Sequence, residues 1–442
     1  MFTEICWIGR TSSSGKSVQM PGKEKLKSTI AHQPTPQWIS LEYVQKVLRN
    51  FFNDNDLEIV EISIAPASAK GDNYASIMTR VRVKYRSSNQ RNLQAGSYLI
   101  KSMVDYDEFV SEKLSDTAVF PREMEIYSAI IPELQKILQS KSLDEELAPA
   151  IMDVDYERDS IMFEDLTARS FVPADRVKGL DMVHAKMVLR KLAKWHAASA
   201  ILGSDKPEIF RSYDRGLMTR RSDVHVPFFT NSLRFCASAV SKIQGYEKYA
   251  SKMFDLQTKL IELGRRAFDC KDDSLNVCAH GDLWTSNVLF KYDGNKQLVD
   301  AILIDFQNTF WGSPTLDLHY FFNTSLLDEL VLDGQDELVQ YYYVMLAENL
   351  RSLEYKGKIP SLKEFWIDFM DTSFYGFVSA CLMKPYMINE DAAADADMAA
   401  LLQENERADN FKKAVYSNER VHRYLKKLLP IFGRKGLLDL YQ

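Results

Sequence analysis

One short segment of the chain, HGDLWTSNVLF, carries polar side chains of the kinds that do chemistry. It places His280, Asp282 and Asn287 at fixed steps immediately before an apolar stretch. Such groups are tolerated inside a protein only when each has a partner. A carboxylate can accept a proton from a hydroxyl group, and carboxylate and amide oxygens are ligands that Mg²⁺ prefers. The segment must therefore either shape a turn or hold a reactive site.

A β-hairpin is predicted directly after this segment. Two apolar runs flank Asp293 and Gly294, which is a strong hairpin signal. The hairpin starts after Asn287 and ends at Asp305, so Asp282, Asn287 and Asp305 should converge. Two carboxylates and an amide oxygen suit Mg²⁺, which proteins hold with one or two carboxylates plus substrate phosphates. A carboxylate left free could accept the proton of an attacking hydroxyl, as phosphoryl transfer from ATP requires.

The elements that position this loop fall into a β-rich part and a helical part. Ser40 is predicted to cap a first helix, and the strands that follow alternate apolar and polar residues. The third strand, SYLIKSM, carries Lys101, and a later helix has Pro121 in its first turn. After Leu166 the pattern is mainly helical, so the expected fold class is α+β. The inward-facing residues of the first two strands are expected to be Val60, Ile62, Ile64, Val81, Val83 and Tyr85.

Composition limits the classes of protein that the chain can belong to. Its 442 residues exceed what one compact core usually holds, which predicts two lobes. A net charge of -6 argues against a nucleic-acid binder, which usually has a basic face. Five scattered cysteines without a CxxC motif argue against a disulfide framework and a zinc site. Without a signal peptide or an apolar run of the roughly 20 residues that cross a bilayer, a cytoplasmic protein is expected.

The first 38 residues are rich in polar residues and predict a flexible N-terminal tail. The tail contains GRTSSSGKS, which superficially matches a phosphate-binding P-loop. That motif needs four residues between its two glycines, and Gly9 stands one residue too far from Gly15. No strand leads into the segment, so we interpret it as part of the tail.

Six pieces of the sequence, taken in order, resemble the ecdysteroid kinase-like (CHK kinase-like) family of the aminoglycoside phosphotransferase and choline kinase superfamily. The resemblance extends over roughly residues 40–435. It implies a bilobal protein-kinase-like fold with ATP bound between an N-lobe (39–165) and a C-lobe (166–442) that holds the catalytic loop. The six pieces are GDNYAS (71–76), FPREMEIY (120–127), FEDL (163–166), LAKWHAAS (192–199), HGDLWTSNVLF (280–290) and IDFQ (304–307).

In the C-lobe the resemblance implies a role for each polar residue of the loop. Asp282 is similar to the catalytic base that orients the acceptor hydroxyl, and Asn287 and Asp305 match the ligands of Mg²⁺. Asp317 resembles the aspartate that steadies the catalytic loop. His280 is expected to brace the loop by hydrogen bonds and not to react.

In the N-lobe the resemblance implies positions that bind ATP. Lys101 matches the lysine that grips the α- and β-phosphates, and Glu123, or else Glu125, matches the helix glutamate that pairs with it. Residues 164–166 match the hinge whose backbone bonds the adenine edge, and residues 71–76 match the loop that covers the phosphates. The expected cofactor-binding residues are Gly71, Asn73, Ser76, Lys101, Glu123, Glu164 and Leu166.

Two departures from the protein-kinase pattern concern the substrate. The phosphate loop has one glycine, Gly71, where protein kinases carry three, so its grip would depend on Asn73 and Ser76. The DFQ motif lacks the glycine of DFG, and no APE motif follows. Both features argue against a protein substrate with a switchable activation loop and favour a small molecule.

Three neighbours of the loop leave alternatives open. Trp284 either shapes the acceptor pocket or packs beneath the loop. His196 is expected to be a core residue of its helix. Cys278 is interpreted as a small apolar filler, although a thiol so close to the loop could be reactive.

The resemblance implies a kinase that uses ATP and Mg²⁺ to transfer the γ-phosphoryl group to a hydroxyl of an ecdysteroid or another apolar alcohol. Its role would be hormone inactivation or xenobiotic detoxification. The expected partner is this small molecule, with no nucleic acid, membrane or protein partner. One alternative is a choline- or ethanolamine-type kinase, whose pocket would need acids or aromatic rings for a cationic head. The other is a pseudokinase that binds nucleotide or a lipophilic ligand without turnover.

Overall fold

The computed structural model describes residues 35–67, 76–88, 90–103, 118–271, 274–389, 401 and 403–440. Most of the predicted tail, including the P-loop-like segment, lies outside the described residues. So do Gly71 and Asn73 of the predicted phosphate loop.

Contacts divide the described chain into two units. The smaller contains residues within 35–103 and 150–172, and the larger contains residues within 118–149 and 173–440. The predicted boundary at residue 165 differs from this division mainly in one segment, 118–149, which belongs to the larger unit. The smaller unit is rich in strands and the larger one in helices, which confirms the predicted α+β class.

The smaller unit combines one helix with an antiparallel sheet. The sheet has five strands in the order β1-β2-β3-β5-β4. Its core is formed by apolar side chains of α1 and the facing side of the sheet, among them Val44, Leu48, Val81 and Ile100. The elements are α1 (Leu41–Phe52), β1 (Glu58–Pro66), β2 (Ser76–Ser87), β3 (Gln90–Met103), β4 (Ile151–Asp155) and β5 (Ser160–Glu164).

Local sequence explains the beginning of this unit, with one correction. The Ser40 side chain accepts a hydrogen bond from the Tyr43 amide at 3.2 Å, so it caps α1 as predicted. In β1, however, Val60 is exposed and Ile59 is buried. The expectation that Val60 faces inward is wrong because the register shifts between Ile59 and Glu61. Such a bulge reverses which residues point into the core.

In β2 the alternation is the predicted one. Val81, Val83 and Tyr85 are buried, and Arg82 and Lys84 face solvent. The third strand is longer than SYLIKSM alone and pairs with β2 along nearly its whole length.

A buried carboxylate ties the end of β5 to its neighbours. Asp165 accepts hydrogen bonds from Arg80 Nε at 2.8 Å, Ser97 Oγ at 2.7 Å and the Thr167 amide at 3.1 Å. Burial alone would raise the pKa of Asp165, but the hydrogen bonds from Thr167 and Ser97 and the charge of Arg80 lower it below its usual value. Asp165 also caps a 3₁₀ turn, Leu166–Arg169.

The larger unit contains most of the helices and two small antiparallel sheets. Its first helical stretch changes to π-helical geometry at Ile126–Ile130, just before Pro132, a residue that cannot donate the usual helical hydrogen bond. The helices are α2 (Val119–Glu125), α3 (Ile131–Gln139), α4 (Met182–Asp205), α5 (Val226–Val240), α6 (Glu247–Leu256), α7 (Leu260–Phe268), α8 (Thr315–Ser325), α9 (Asp328–Asp333), α10 (Gln335–Ser352), α11 (Leu362–Asp371), α12 (Phe374–Val378), α13 (Lys384–Met387), α14 (Glu406–Ser417) and α15 (Glu419–Arg434). Its strands are β7 (Val277–Ala279), β8 (Val288–Tyr292), β9 (Leu298–Leu303) and β10 (Phe310–Gly312), whereas β6 (Phe171–Pro173) has its first two residues in the smaller unit.

Helix α4 anchors the strands that flank the HGDLW segment. Trp195 Nε1 donates to the Cys278 carbonyl at 2.5 Å, and the Cys278 amide donates to Ser199 Oγ at 3.0 Å, which fixes β7. On the same helix the buried Lys191 contacts Glu145 at 3.1 Å and Asp300 of β9 at 2.7 Å. The helix therefore holds both the entry to the segment and the second strand of the hairpin.

The predicted hairpin is present as β8 paired with β9. Its connection runs from Asp293 to Gln297 and is longer than the two-residue turn that an Asp-Gly pair commonly forms. Asp293 Oδ1 accepts from the amides of Asn295 and Gln297, and Lys296 adopts the left-handed conformation. Side-chain hydrogen bonds from an aspartate thus shape the turn.

No helix of the described residues is long and apolar enough to cross a membrane.

Replacement of Asp165 tests the link at the end of β5. Asp165→Asn should lower the free energy of unfolding by about 2 kcal/mol at pH 7, because it leaves Arg80 without its buried anion. The exposed pair Glu61–Lys84 supplies a control, since Glu61→Gln should cost less than about 1 kcal/mol. Urea unfolding measures both values.

The effect should also depend on pH in a defined direction. The folded-state pKa of Asp165 is lowered, so its stabilisation is present above the unfolded value of about 4. It is lost as the pH falls through the folded pKa, so the difference between wild type and Asp165→Asn should narrow below about pH 4. A difference that stays constant from pH 7 to pH 3 would contradict this assignment.

Candidate active site

The HGDLW loop is fixed by one buried carboxylate. Asp317, near the start of α8, accepts hydrogen bonds from the backbone amides of His280 at 2.6 Å and Gly281 at 2.9 Å. Behind it, His196 Nε2 lies 3.0 Å from Asp317 Oδ2, and His196 Nδ1 lies 2.5 Å from the Tyr342 hydroxyl. Burial alone would raise the pKa of Asp317, but His196, His280 and the Gly281 amide lower it below its usual value. Asp317 is thus a buried anion that positions the loop backbone.

His280 joins the loop to the end of the hairpin. Its Nε2 lies 3.1 Å from the Ile304 carbonyl, and its Nδ1 lies 3.4 Å from the Asp282 amide. This pattern assigns the proton to Nε2. Burial lowers the pKa of His280, so the ring is neutral. The ring also lies against Phe306, with centroids 4.8 Å apart. These contacts agree with a bracing role.

The hairpin brings Asn287 next to Asp305. Val288 pairs with Leu303, and the Ile304 amide donates to the Asn287 carbonyl at 3.0 Å. Asn287 therefore lies opposite the residue that precedes Asp305. Its Nδ2 donates to the Asp282 carbonyl at 2.8 Å, while its buried Oδ1 has no hydrogen-bond partner in the described part of the chain.

Asp305 is held in an unusual backbone conformation. Its φ is 67°, in the left-handed region that non-glycine residues rarely adopt. Its side chain is almost completely buried, and Gln307 Nε2 lies 3.4 Å from its Oδ2. Conformations of this kind persist where the surrounding structure enforces them, and they cluster at functional sites.

Asp282 lies buried between two hydrogen-bond donors. The Tyr320 hydroxyl donates to Oδ1, and Asn308 Nδ2 lies 3.4 Å from Oδ2. Burial raises the pKa of Asp282 to about 7, and the charge of Asp305 adds to this rise, whereas the hydrogen bonds from Tyr320 and Asn308 oppose it. Asn287 connects the two segments, because its side chain donates to the Asp282 carbonyl and its own carbonyl accepts from the amide of Ile304, the residue before Asp305. The carboxyl group of Asp282 is oriented and has an affinity for protons well above that of an exposed aspartate.

The donors of this site fit a hard divalent cation. Asn287 offers a buried amide oxygen without a partner, and Asp305 offers a carboxylate beside it. Among the described residues no cluster of three or more His, Cys, Asp or Glu could hold a metal by itself. A cation at this position would have to complete its shell with ligands from a bound molecule, as Mg²⁺ does with phosphates.

The smaller unit holds the described part of the predicted nucleotide site. Lys101 lies in β3 opposite Met78 and Ile161 and is only 2% exposed. Ser76, also buried, begins β2 opposite Met103. A lysine buried to this degree needs an anionic or hydrogen-bonding environment, and its role toward phosphate stays a prediction.

At the predicted hinge, the Glu164 side chain is already used within the smaller unit. Its carboxylate accepts from the Ala150 amide at 2.8 Å and from Arg169 at 2.9 Å. The amides of Glu164 and Asp165 donate to the carbonyls of Ala150 and Ser97. Any hinge contact with adenine would therefore come from the backbone nearer the buried Leu166, and the side chain of Glu164 serves the sheet.

The two candidate glutamates differ in their surroundings. Glu123, on α2, is 1% exposed, whereas Glu125 is half-buried. Both glutamates belong to the larger unit and Lys101 to the smaller one, so their pairing stays a prediction.

The sequence analysis missed three residues that hold the site. Tyr320 and Asn308 orient Asp282, and His196, expected to be a core residue, supports Asp317. Tyr320 could have been found from the sequence, because it follows Asp317 by three positions on a predicted helix and therefore lies on the same side of that helix. No local pattern marks Asn308.

Cys278 is buried, and burial raises its pKa well above the usual value. The thiol is therefore protonated and inaccessible, which excludes the reactive alternative.

Replacement of Gly281 tests whether the loop geometry is required. Gly281 has a φ of +79°, and a Cβ atom there would lie 2.0 Å from the Asn308 carbonyl oxygen. Gly281→Ala should therefore cost about 3 kcal/mol of stability through strain and backbone displacement. Gly294→Ala, in the hairpin turn, is the matched control because nothing lies within 4 Å of its added Cβ. Equal thermal unfolding temperatures for the two variants would refute the close approach.

Comparison with solved structures finds weak similarity to small-molecule kinases. Plasmodium vivax ethanolamine kinase is 12% identical, with a TM-score of 0.42 and coverage of 92% of this chain and 93% of that one. Choline kinase from Streptococcus pneumoniae is 14% identical, with a TM-score of 0.34 and coverage of 87% and 99%. A glucosamine kinase is 11% identical, with a TM-score of 0.27 and coverage of 88% and 95%. Scores this low assign neither a fold nor a substrate.

Sequence comparison gives a clearer result. No curated protein matches the chain significantly. The model of the ecdysteroid kinase-like family matches residues 70–355, nearly two thirds of the chain, which include the HGDLW loop, the hairpin and Lys101. The family predicted from the sequence motifs is thereby confirmed. The chain belongs to the ecdysteroid kinase-like family and is a small-molecule kinase, a phosphotransferase that acts on an alcohol group.

Proposed function

We propose that the chain transfers the γ-phosphoryl group of ATP to a hydroxyl group of an ecdysteroid or another apolar alcohol. The observation that carries the proposal is the arrangement at the base of the hairpin. There the loop carries a buried carboxylate, Asp282, and an amide oxygen of Asn287 that has no partner in the described chain, and the Asn287 backbone pairs with the residue before a second buried carboxylate, Asp305. Phosphoryl transfer needs a proton acceptor and cation ligands side by side.

Asp282 acts on the acceptor in this proposal. As the hydroxyl oxygen of the acceptor forms a bond to the γ-phosphorus, the bond from that phosphorus to the bridging oxygen breaks. ADP leaves with the electron pair, and the hydroxyl proton passes to Asp282. The hydrogen bonds from Tyr320 and Asn308 hold the carboxylate in one orientation. Orientation of this kind is a main source of catalysis when reactants are held in place.

Asn287 and Asp305 would hold Mg²⁺. The ion supplies charge neutralisation for the phosphate chain when bound. The hydrogen bond from Asn287 Nδ2 to the Asp282 carbonyl directs the amide so that its oxygen is left for a ligand. The same residue thus links the cation site to the loop that carries the base.

The nucleotide contacts of the smaller unit are proposed from the resemblance and from burial. Lys101 would bind the α- and β-phosphates, with Glu123 as its partner, and the backbone near Leu166 would bind adenine. The buried position of Lys101 near the end of β3 supports this, because a buried ammonium group needs an anionic or hydrogen-bonding partner.

Aromatic side chains lie behind Asp282. The Tyr320 hydroxyl donates to Asp282, Tyr320 and Tyr375 stack with centroids 6.1 Å apart, and Tyr375 lies 4.8 Å from Phe268, measured between ring centroids. Aromatic rings suit both an apolar molecule and the cationic head of choline or ethanolamine. The apolar acceptor is therefore proposed from the family resemblance, and the screen below separates the two classes.

A mass-spectrometric screen tests the proposal and its alternatives together. The protein is incubated with MgATP and a panel of ecdysteroids, plant alcohols and glycosides, choline and ethanolamine, and the readout is the gain of one phosphoryl group. Phosphorylation of a steroid or plant alcohol supports the proposal. If only choline or ethanolamine is phosphorylated, the acceptor is a cationic alcohol and the proposed apolar acceptor is wrong. ATP binding without any product would favour a pseudokinase.

With an acceptor in hand, Asp282→Asn tests the base. The variant should bind MgATP with nearly unchanged affinity, because Asp282 is not a proposed ligand of the cation. It should lower turnover by about 10²-fold or more, since general base catalysis contributes 10²–10⁴. Calorimetric titration and product formation provide the two readouts. Wild-type turnover in the variant would remove Asp282 as the base.

Asp305→Asn tests the cation site. The variant should bind ATP more weakly only when Mg²⁺ is present, so a titration of ATP affinity against Mg²⁺ should flatten relative to wild type. Asp293→Asn is the matched control, because Asp293 lies in the exposed turn at the other end of the same hairpin. If both variants follow the wild-type Mg²⁺ curve, Asp305 is not a ligand.

A further inference from the structure

The catalytic loop contains a group of buried polar atoms that lack partners. Within four residues, Trp284 Nε1, Ser286 Oγ and Asn287 Oδ1 are all buried without a hydrogen-bond partner in the described part of the chain. A buried polar atom left unpaired costs about 1–3 kcal/mol, and most native proteins contain few of them. Three in one short loop therefore indicate that the loop is built to meet a ligand.

The chemical types of these atoms restrict what that ligand can be. Asn287 Oδ1 is an acceptor and suits a cation, whereas the indole N–H of Trp284 is a donor only and suits an anionic oxygen. Ser286 Oγ can serve either purpose. A cation bound together with a phosphate chain offers a match to both kinds of atom. The proposed substrate MgATP has this composition.

The position of Trp284 relative to the base narrows the contact further. Trp284 stands two residues after Asp282, and its backbone is extended, with φ -137° and ψ 177°. Trp284 is also the residue whose carbonyl accepts from the Asn287 amide at 2.9 Å. The backbone of Trp284 is thus held in the loop between the residue proposed as the base and the residue proposed as a cation ligand.

We infer that the Trp284 indole N–H donates a hydrogen bond to an oxygen of the γ-phosphoryl group during its transfer. This inference rests on the proposed function and adds one catalytic residue to it. A donor aimed at oxygens that carry charge in the transition state acts in the same manner as an oxyanion-hole donor. The inference also bears on the two alternatives for Trp284, which were shaping the acceptor pocket and packing beneath the loop. A residue that only packs beneath the loop does not need an N–H without a partner.

The indole resonance of Trp284 provides a direct test that does not require the acceptor. The chain has six tryptophans, so a ¹⁵N-labelled sample gives at most that many indole signals, and Trp284→Phe identifies one of them by its loss. The probes are MgADP alone and MgADP with aluminium fluoride, which imitates the transferred phosphoryl group. The Trp284 signal should move strongly with the second probe and much less with the first.

Binding measurements on Trp284→Phe give a second, independent readout. The variant keeps an aromatic ring but removes the N–H together with the five-membered ring of the indole, and the control Trp366→Phe makes the same change in chemical structure. It should bind MgADP within about 2-fold of wild type but bind MgADP with aluminium fluoride about 10²-fold more weakly, as loss of one such donor costs 10²–10³ in rate. Trp366→Phe, on α11, is the control and should bind both probes as the wild type does.

Each other outcome contradicts a different statement. If the wild type binds both probes while the Trp284 signal and the affinities of Trp284→Phe do not distinguish them, the inference is wrong and the proposed function stands. If Trp284→Phe weakens both probes equally, Trp284 is only structural. If the wild type binds neither probe, the proposed function fails, and the inference that rests on it fails as well.

Discussion

The buried carboxylate of Asp317 is the contact on which the site depends. It accepts two consecutive backbone amides, those of His280 and Gly281, and so sets the direction in which the loop leaves β7. Two backbone N–H groups and an imidazole supply the compensation that a buried anion needs. Gly281 has a left-handed backbone conformation, and a Cβ atom at this position would collide with the Asn308 carbonyl oxygen, so only glycine fits here. The Asp317 anion and Gly281 together therefore determine where Asp282 lies. Removal of either would shift every reacting group.

From that fixed point, the hairpin sets the distance between the base and the cation ligands. The Asn287 carbonyl accepts from the Ile304 amide, and the Asn287 side chain donates to the Asp282 carbonyl, so one residue connects both ends of the hairpin to the loop. Helix α4 holds the same strands from outside, through Trp195 on β7 and Lys191 on β9. Three buried polar atoms of the loop have no partner in the described part of the chain, as expected for the proposed site if it is organised before the substrate arrives.

Much of this arrangement could be predicted from sequence, because it follows from short-range rules. The alternation of apolar and polar residues predicted which side chains of β2 point into the core. The predicted hairpin implied that Asp282, Asn287 and Asp305 converge. The sequence was a poor guide where the outcome depends on the detailed conformation of the backbone. A bulge between Ile59 and Glu61 turned Val60 outward, and the side chain of Asp293 produced a longer turn than its Asp-Gly pair indicated.

Contacts between segments that are far apart in the chain also could not be predicted from the sequence. Tyr320 shares a helix face with Asp317, yet only the packing of α8 against the loop brings its hydroxyl to Asp282. The sequence predicts only that His196 is a buried residue of its helix. Its contact with Asp317, which lies 121 positions later in the chain, does not follow from any local pattern. The motifs therefore indicated the residues that we propose to react, whereas the residues that hold them in place became known only from the structure.

The most direct test of the central claim uses ATP labelled with ¹⁸O in the non-bridging oxygens of the γ-phosphoryl group, together with the alcohol acceptor identified by screening. The proposed reaction predicts a product that gains one phosphoryl group and retains all of the labelled oxygens, joined to the acceptor through its own unlabelled hydroxyl oxygen. A product that gained an adenylyl or pyrophosphoryl group, or that had lost label to water, would contradict direct transfer of the γ-phosphoryl group.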